Sequence, residues 1–251
     1  MATVTVSKPA SQRAEGAYDR AFYSGMAIVM ALTVLIGFGP TFYLRSLFGA
    51  PPTVTGAVTL SPLAQLHGAL FTGWVVLFIV QTALVSTRRV AVHRRLGIAG
   101  GILATVMVVV GVTTAVRAAA RGSAPPGVDP RAFLAIPFFD MIVFPLFVAA
   151  ALWHRRNKEA HKRLMLLAYI SIVVAAVARL PGVLPLGPLG FFGLTFIFLL
   201  IAIVYDWVSR RRVHPAYIWG GALFVASVPL RLMVSGTEAW VAFADFLIAS
   251  L

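Results

Sequence analysis

The chain of 251 residues is 60% hydrophobic and only 12% charged, a balance outside the range of soluble globular domains. It contains no cysteine, which excludes a disulfide framework, thiolate metal ligation and a cysteine nucleophile. The net charge of +13 would suit nucleic acid, but the basic residues sit in short groups between long apolar runs, where they face anionic headgroups. Nucleic-acid binding is rejected.

Residues 1–20 are polar and carry Lys8, Arg13, Glu15, Asp19 and Arg20. They lack the apolar core and cleavage site of a signal peptide, so they read as a mobile cytoplasmic tail before a retained first span. Apolar runs of about twenty residues predict membrane-spanning helices at 21–44, 62–86, 94–117, 132–153, 163–181, 190–209 and 216–234. The longer loop 118–131 contains Pro125 and Pro126, and a second Pro/Gly-rich break covers 181–190. Beyond the seventh span, Thr237, Glu238 and Trp240 open a short segment through Leu251 that suits a helix lying at the interface. The expected fold is therefore all-α, a polytopic seven-helix bundle with a tail at 1–20, a membrane domain at 21–234 and a short interfacial helix or tail at 235–251.

Charge sets the orientation. With the amino terminus on one side, that side holds fifteen of the 21 Lys and Arg residues, Arg163 and Arg210 among them. The other side receives Arg45, Arg117, Arg121, Arg131, Arg179 and Arg231. The positive-inside bias places the amino terminus in the cytoplasm and the carboxyl terminus outside.

An ionisable residue at membrane depth marks a pathway, a site or a buried pair, because water is absent there. His67, Asp140, Arg179 and Arg231 fall in the outer half, with Asp140 about 12 Å deep at the helical rise. Pro137 and Pro145 flank Asp140 and predict a bent or locally unwound fourth helix. One reading is an outer polar pocket in which His67 exchanges a proton and the arginines hold an anionic or carbonyl-bearing ligand, with His67, Asp140 and Arg179 as the catalytic set. The plainer reading pairs Asp140 with Arg179 or His67 and lets Arg231 snorkel to headgroups.

The inner side carries His93, His154, His161, His214 and Asp206. His93-Arg94-Arg95-Leu96 and His161-Lys162-Arg163-Leu164 open two spans in the same context, which suggests a parallel repeat of spans two–three and four–five. Histidines gathered at one face could ligate a transition metal or a haem iron, with His93 and His161 as the cofactor-binding candidates. Their basic surroundings disfavour a further cation unless Asp206 and Glu159 compensate, and the plainer reading is interfacial histidines among headgroup-binding arginines. His214, ahead of Pro215 in a loop, is assigned no role. There is no phosphate-cradling loop and no nucleophile elbow, and the seventh span has no lysine for a retinal Schiff base.

The stretch His161-Lys162-Arg163-Leu164-Met165, running through Tyr169 and Ser171 to Arg179, resembles a segment of an uncharacterised bacterial family of multi-spanning membrane proteins. The interval from His67 to His93-Arg94-Arg95-Leu96-Gly97 is similar to the same pattern, so the resemblance covers about residues 62–181. It implies that His67, His93, His161 and Arg179 form a shared constellation in a bacterial inner-membrane protein. Leu167 departs from the second basic residue expected after the methionine. A weaker resemblance is to the two-haem cytochrome b ferric-reductase fold, which implies haem b on histidines at successive helix starts. No second outer histidine stands opposite His67, so only one inner haem, on His93 and His161, is compatible.

Three functions stand open. The preferred one is a small-molecule or proton-handling membrane protein using the outer pocket. The second is a haem- or metal-binding electron-transfer protein using His93 and His161. The third is a non-catalytic assembly factor whose polar residues are structural.

Overall fold

A computed structural model describes residues 10–250 of the chain. Helix α1 runs Ala10–Phe38 and passes into a π-helical turn, Gly39–Tyr43, closed by the Leu44 amide donating to the Gly39 carbonyl at 2.7 Å. The remaining helices are α2 Pro62–Ser86, α3 Val90–Ala120, α4 Pro130–Trp153, α5 Lys158–Val177, α6 Gly187–Arg210, α7 Pro215–Ser235 and α8 Glu238–Ala249. Among the described residues, seven helices are long and apolar enough to cross a membrane, as the apolar runs require.

Local chemistry sets the helix starts. Ser61-Pro62, Asp129-Pro130 and His214-Pro215 each pair a side chain that accepts a backbone N–H with a proline at the first helical position. Thr237 caps α8 through the Trp240 amide at 3.2 Å. Asn157 caps α5, its Oδ1 accepting from the amides of Glu159 (3.1 Å) and Ala160 (3.2 Å). That cap moves the fifth helix from the expected 163–181 to 158–177. Its polar first turn is helical too, which places His161 inside the helix and leaves Arg179 in the turn beyond it. The polar tail also shortens, because α1 already begins at Ala10; residues 1–9 lie outside the described part of the chain. Helix α4 is not unwound around Asp140, since Pro137 and Pro145 sit within one continuous helix.

The first five helices close a ring, each of α1, α2, α3, α4 and α5 packing on the next and α5 returning to α1. Helix α7 packs on α4 and α5, α6 on α5 and α7, and α8 on α3 and α4. Helix α5 is therefore enclosed on nearly every side, and Leu166, Leu167, Ala168 and Ile170 are fully buried. At Gly37 the backbone of α1 lies directly on the Ala176 carbonyl of α5, an approach that any Cβ would obstruct. The ring brings α2 opposite α5, with the rings of Phe78 and Tyr169 4.8 Å apart.

Candidate functional site

At the end of the bundle away from the chain's basic clusters, His67 lies on α2 and stacks on Phe71 with ring centroids 4.2 Å apart. Its Nδ1 is buried and has no hydrogen-bond partner. Arg179, in the turn after α5, donates to the Ala175 carbonyl at 2.5 Å and lies 4.5 Å from the centre of the Phe38 ring. Its charge acts on His67, while no carboxylate pairs with it among the described residues. The π-helical turn shapes this corner. It follows Phe38, seats the Phe42 ring against Gly68, and places the Tyr43 hydroxyl 2.8 Å from that of Thr72. Single π-helical turns interrupt the regular ladder and are frequent at functional sites.

Asp140 does not join this corner. It is buried between α4 and α7, where Arg231 Nη1 donates to its Oδ1 at 2.5 Å. The expected partners Arg179 and His67 are thus both replaced by Arg231. The same guanidinium donates to the Ser227 carbonyl (3.1 Å) and the Ser227 hydroxyl (2.9 Å), and it lies 4.8 Å from the Phe192 ring. Arg231 is fully buried and does not snorkel. Its face of α7 is covered by α4 and by Phe192 of α6, so no path leads it to headgroups. The expected catalytic trio therefore divides: Arg179 stays within electrostatic reach of His67 without a hydrogen bond between them, and Asp140 belongs to a separate pair.

At the basic end, His93 lies in the first turn of α3 and His161 in the first turn of α5, with ring centroids 6.2 Å apart and planes at 84°. His161 Nδ1 is 2.8 Å from the Ala151 carbonyl, which can only accept, so Nδ1 carries the proton and Nε2 is left for another partner. His93 Nδ1 is buried without a hydrogen bond. His154 is exposed, and His214 caps α7 by accepting from the Ala216 amide at 3.1 Å, a role its loop position concealed. No group of three or more potential metal ligands is gathered among the described residues. The five histidines do not form one centre.

Beside these histidines part of the basic stretch, Lys162 and Arg163, is neutralised. Arg163 and Asp206 are both fully buried and form a two-pronged pair, Nε donating to Oδ2 at 2.8 Å and Nη2 to Oδ1. Glu159 accepts from Arg163 at 2.8 Å and Lys162 at 2.8 Å, and Asp19 accepts from Lys162 at 2.6 Å, Arg210 at 2.6 Å and the Tyr205 hydroxyl at 2.8 Å. Three carboxylates thus answer three cations and tie α1, α5 and α6 together. Arg163, expected at the headgroups, turns inward because the capped first turn of α5 aims it at α6.

Among the described residues, six buried side-chain polar atoms have no partner: His67 Nδ1, Trp74 Nε1, Gln81 Oε1, His93 Nδ1, Tyr169 Oη and Arg210 Nε. Such an atom costs roughly 1–3 kcal/mol each, and native structures contain few. Trp74 and Tyr169 carried a weak signal in the sequence as polar-tipped aromatics deep in spans; Gln81 carried none. Surface hollows of about 520 Å³ beside α8 and 460 Å³ between α6 and α7 are lined by other residues. No family model, curated protein or solved structure matches the chain.

Proposed function

We propose that this chain is a bacterial inner-membrane protein that handles a small molecule, or a proton, at the corner formed by His67 and Arg179. The observation that carries the reading is the free charge of Arg179. Arg163 and Arg231, both fully buried, each hold an aspartate, whereas the partly buried Arg179 holds one backbone carbonyl and an aromatic face. A guanidinium left without a counter-charge at this depth calls for an anionic or carbonyl oxygen. His67 beside it supplies an imidazole whose ring nitrogens can donate or accept a hydrogen bond to the same ligand. Asp140 is withdrawn from the catalytic set, because Arg231 occupies it. Of the four residues grouped by the resemblance, His67 and Arg179 belong to this corner, while His93 and His161 lie at the basic end. Organic extracts of the purified protein test the reading. A small molecule is expected in wild-type extracts and lost from Arg179→Gln and His67→Ala; equal content in all three proteins rejects it.

A second reading rests on its own observation. Two imidazoles bound on opposite sides of one metal, with metal–nitrogen bonds of about 2.0–2.1 Å, hold their ring centres roughly 6.4 Å apart. His93 and His161 stand at 6.2 Å, and the hydrogen bond from His161 Nδ1 to Ala151 is the second-shell arrangement that directs Nε2 at a metal. Haem b or a transition-metal ion fits this donor set. The absorption spectrum and metal content of protein from haem-replete cells check it. About one equivalent is expected in the wild type and none in His93→Ala or His161→Ala; a colourless, metal-free wild type rejects it.

A further inference from the structure

Five of the six unpartnered polar atoms belong to one column inside the five-helix ring. His67, Trp74 and Gln81 recur every seven residues on α2, close to two helical turns, so they lie on a single stripe. Tyr169 faces that stripe from α5 through Phe78, and His93 continues it at the basic end, where Gly97 of α3 lies against the Gln81 amide. Trp74 and Tyr169 are 2% and 1% exposed, so neither polar tip reaches bulk solvent. Trp74 stands about 18 Å along α2 from its outer end, and Tyr169 about 16 Å along α5 from its inner end. Both lie near mid-membrane.

Building on the His67–Arg179 reading, we infer that the ligand is a lipid-soluble carbonyl compound of the quinone class, inserted along this column with its head group among Arg179, His67, Trp74 and Tyr169. The donor chemistry selects it. The indole N–H and the guanidinium can only donate, and the free phenol also has a proton to give, so the partner missing around the head group is an acceptor; Gln81 Oε1, itself an acceptor, lies farther along the column and outside this set. Depth then separates two acceptors. A carboxylate could reach Arg179, but at the level of Trp74 and Tyr169 its charge would be far from water, whereas a neutral carbonyl carries no such penalty. The walls agree. Phe38, Phe71, Phe78 and Phe144 line the same stretch, with Phe144 4.9 Å from Trp74, and aromatic faces accept a planar ring. The column is closed over in this conformation, so binding displaces side chains, and the His67–Phe71 stack stands at its outer mouth.

The test uses the purified full chain in detergent with a short-tailed naphthoquinone, and palmitate as the carboxylate control. Binding is expected for the quinone, with its carbonyl stretch moved to lower frequency by hydrogen bonding, and palmitate is expected not to displace it. Loss of one hydrogen bond in Trp74→Phe or Tyr169→Phe is expected to weaken binding about five- to tenfold, and Tyr169→Phe to reverse part of the carbonyl shift. No quinone binding, an unshifted carbonyl in the wild type, displacement by palmitate, or unchanged affinity in both variants overturns the inference. The two proposals fail separately. A small molecule that depends on Arg179 in the extracts, without naphthoquinone binding, ends the quinone assignment and leaves the corner standing. Naphthoquinone binding that depends on Trp74 and Tyr169 but survives Arg179→Gln and His67→Ala rejects the corner, removes Arg179 and His67 from the head-group site, and leaves the quinone assignment at Trp74 and Tyr169 standing.

Discussion

Three arginines, two fully buried and one partly buried in this bundle, show how differently one side chain can be used. Arg163 and Arg231 are each paired with an aspartate, and Arg179 is not. A buried ion pair adds little net stability, but removing one partner strands the other in a medium that cannot solvate it. Asp140→Asn is therefore expected to cost about 3–5 kcal/mol, while replacing Asp140 and Arg231 together by Leu and Met should recover much of the loss. Thermal unfolding in detergent measures both, and a single variant as stable as the wild type would show the pair to be idle. The sequence marked Asp140 as costly at its depth but could not name its partner. Arg231 lies 91 residues away, and pairing depends on how α4 and α7 are rotated toward each other.

Helix ends carried more than their loop positions suggested. The Asn157 cap pulled the start of α5 back by about one turn and so decided that His161 and Arg163 point into the bundle. His214 performs the same service for α7 and is the only titratable cap among the described helices with a side-chain cap hydrogen bond, apart from Asp129. Burial, followed by the nearby Arg163 charge, holds its imidazole below the usual value of 6.5. Neutral His214 is the form that accepts from Ala216, so its contribution is complete above about pH 6.5 and declines as pH falls, because the unfolded chain takes the proton first. The thermal midpoint of the wild type should fall more on acidification from about pH 7 to 5 than that of His214→Ser, whose hydroxyl caps without titrating. Parallel curves for the two proteins would remove His214 from the pH response.

Across the molecule, polar groups divide between two ends joined by the interior column. At the basic end, Asp19, Glu159 and Asp206 neutralise Lys162, Arg163 and Arg210 and connect three helices. The members of this network are unequal. Arg163 and Asp206 are sealed from solvent, whereas Asp19, Lys162 and Arg210 keep 18–29% of their side chains exposed. Exposed pairs are screened and contribute little. Asp206→Asn is thus expected to destabilise by about 3–5 kcal/mol and Asp19→Asn by much less, with unfolding midpoints as the readout. Equal losses would mean that the network acts as a surface cluster and not through its buried core.

The seven spans were legible in the sequence because lipid demands about twenty apolar residues per crossing, a constraint that acts on each segment alone. The charge asymmetry between alternate loops is local in the same sense, and so is the cost of His67, Asp140 and Arg179 at depth. Partnership is not local. Whether Asp140 meets Arg179, His67 or Arg231 depends on the rotation and neighbours of whole helices, and so does the inward turn of Arg163. The alignment of Trp74, Gln81 and Tyr169 on one interior column has the same origin. In a membrane every apolar face is acceptable to lipid, so hydrophobicity does not say which face of a helix turns inward. Only the closed five-helix ring decided that, and with it which polar atoms were left without a partner.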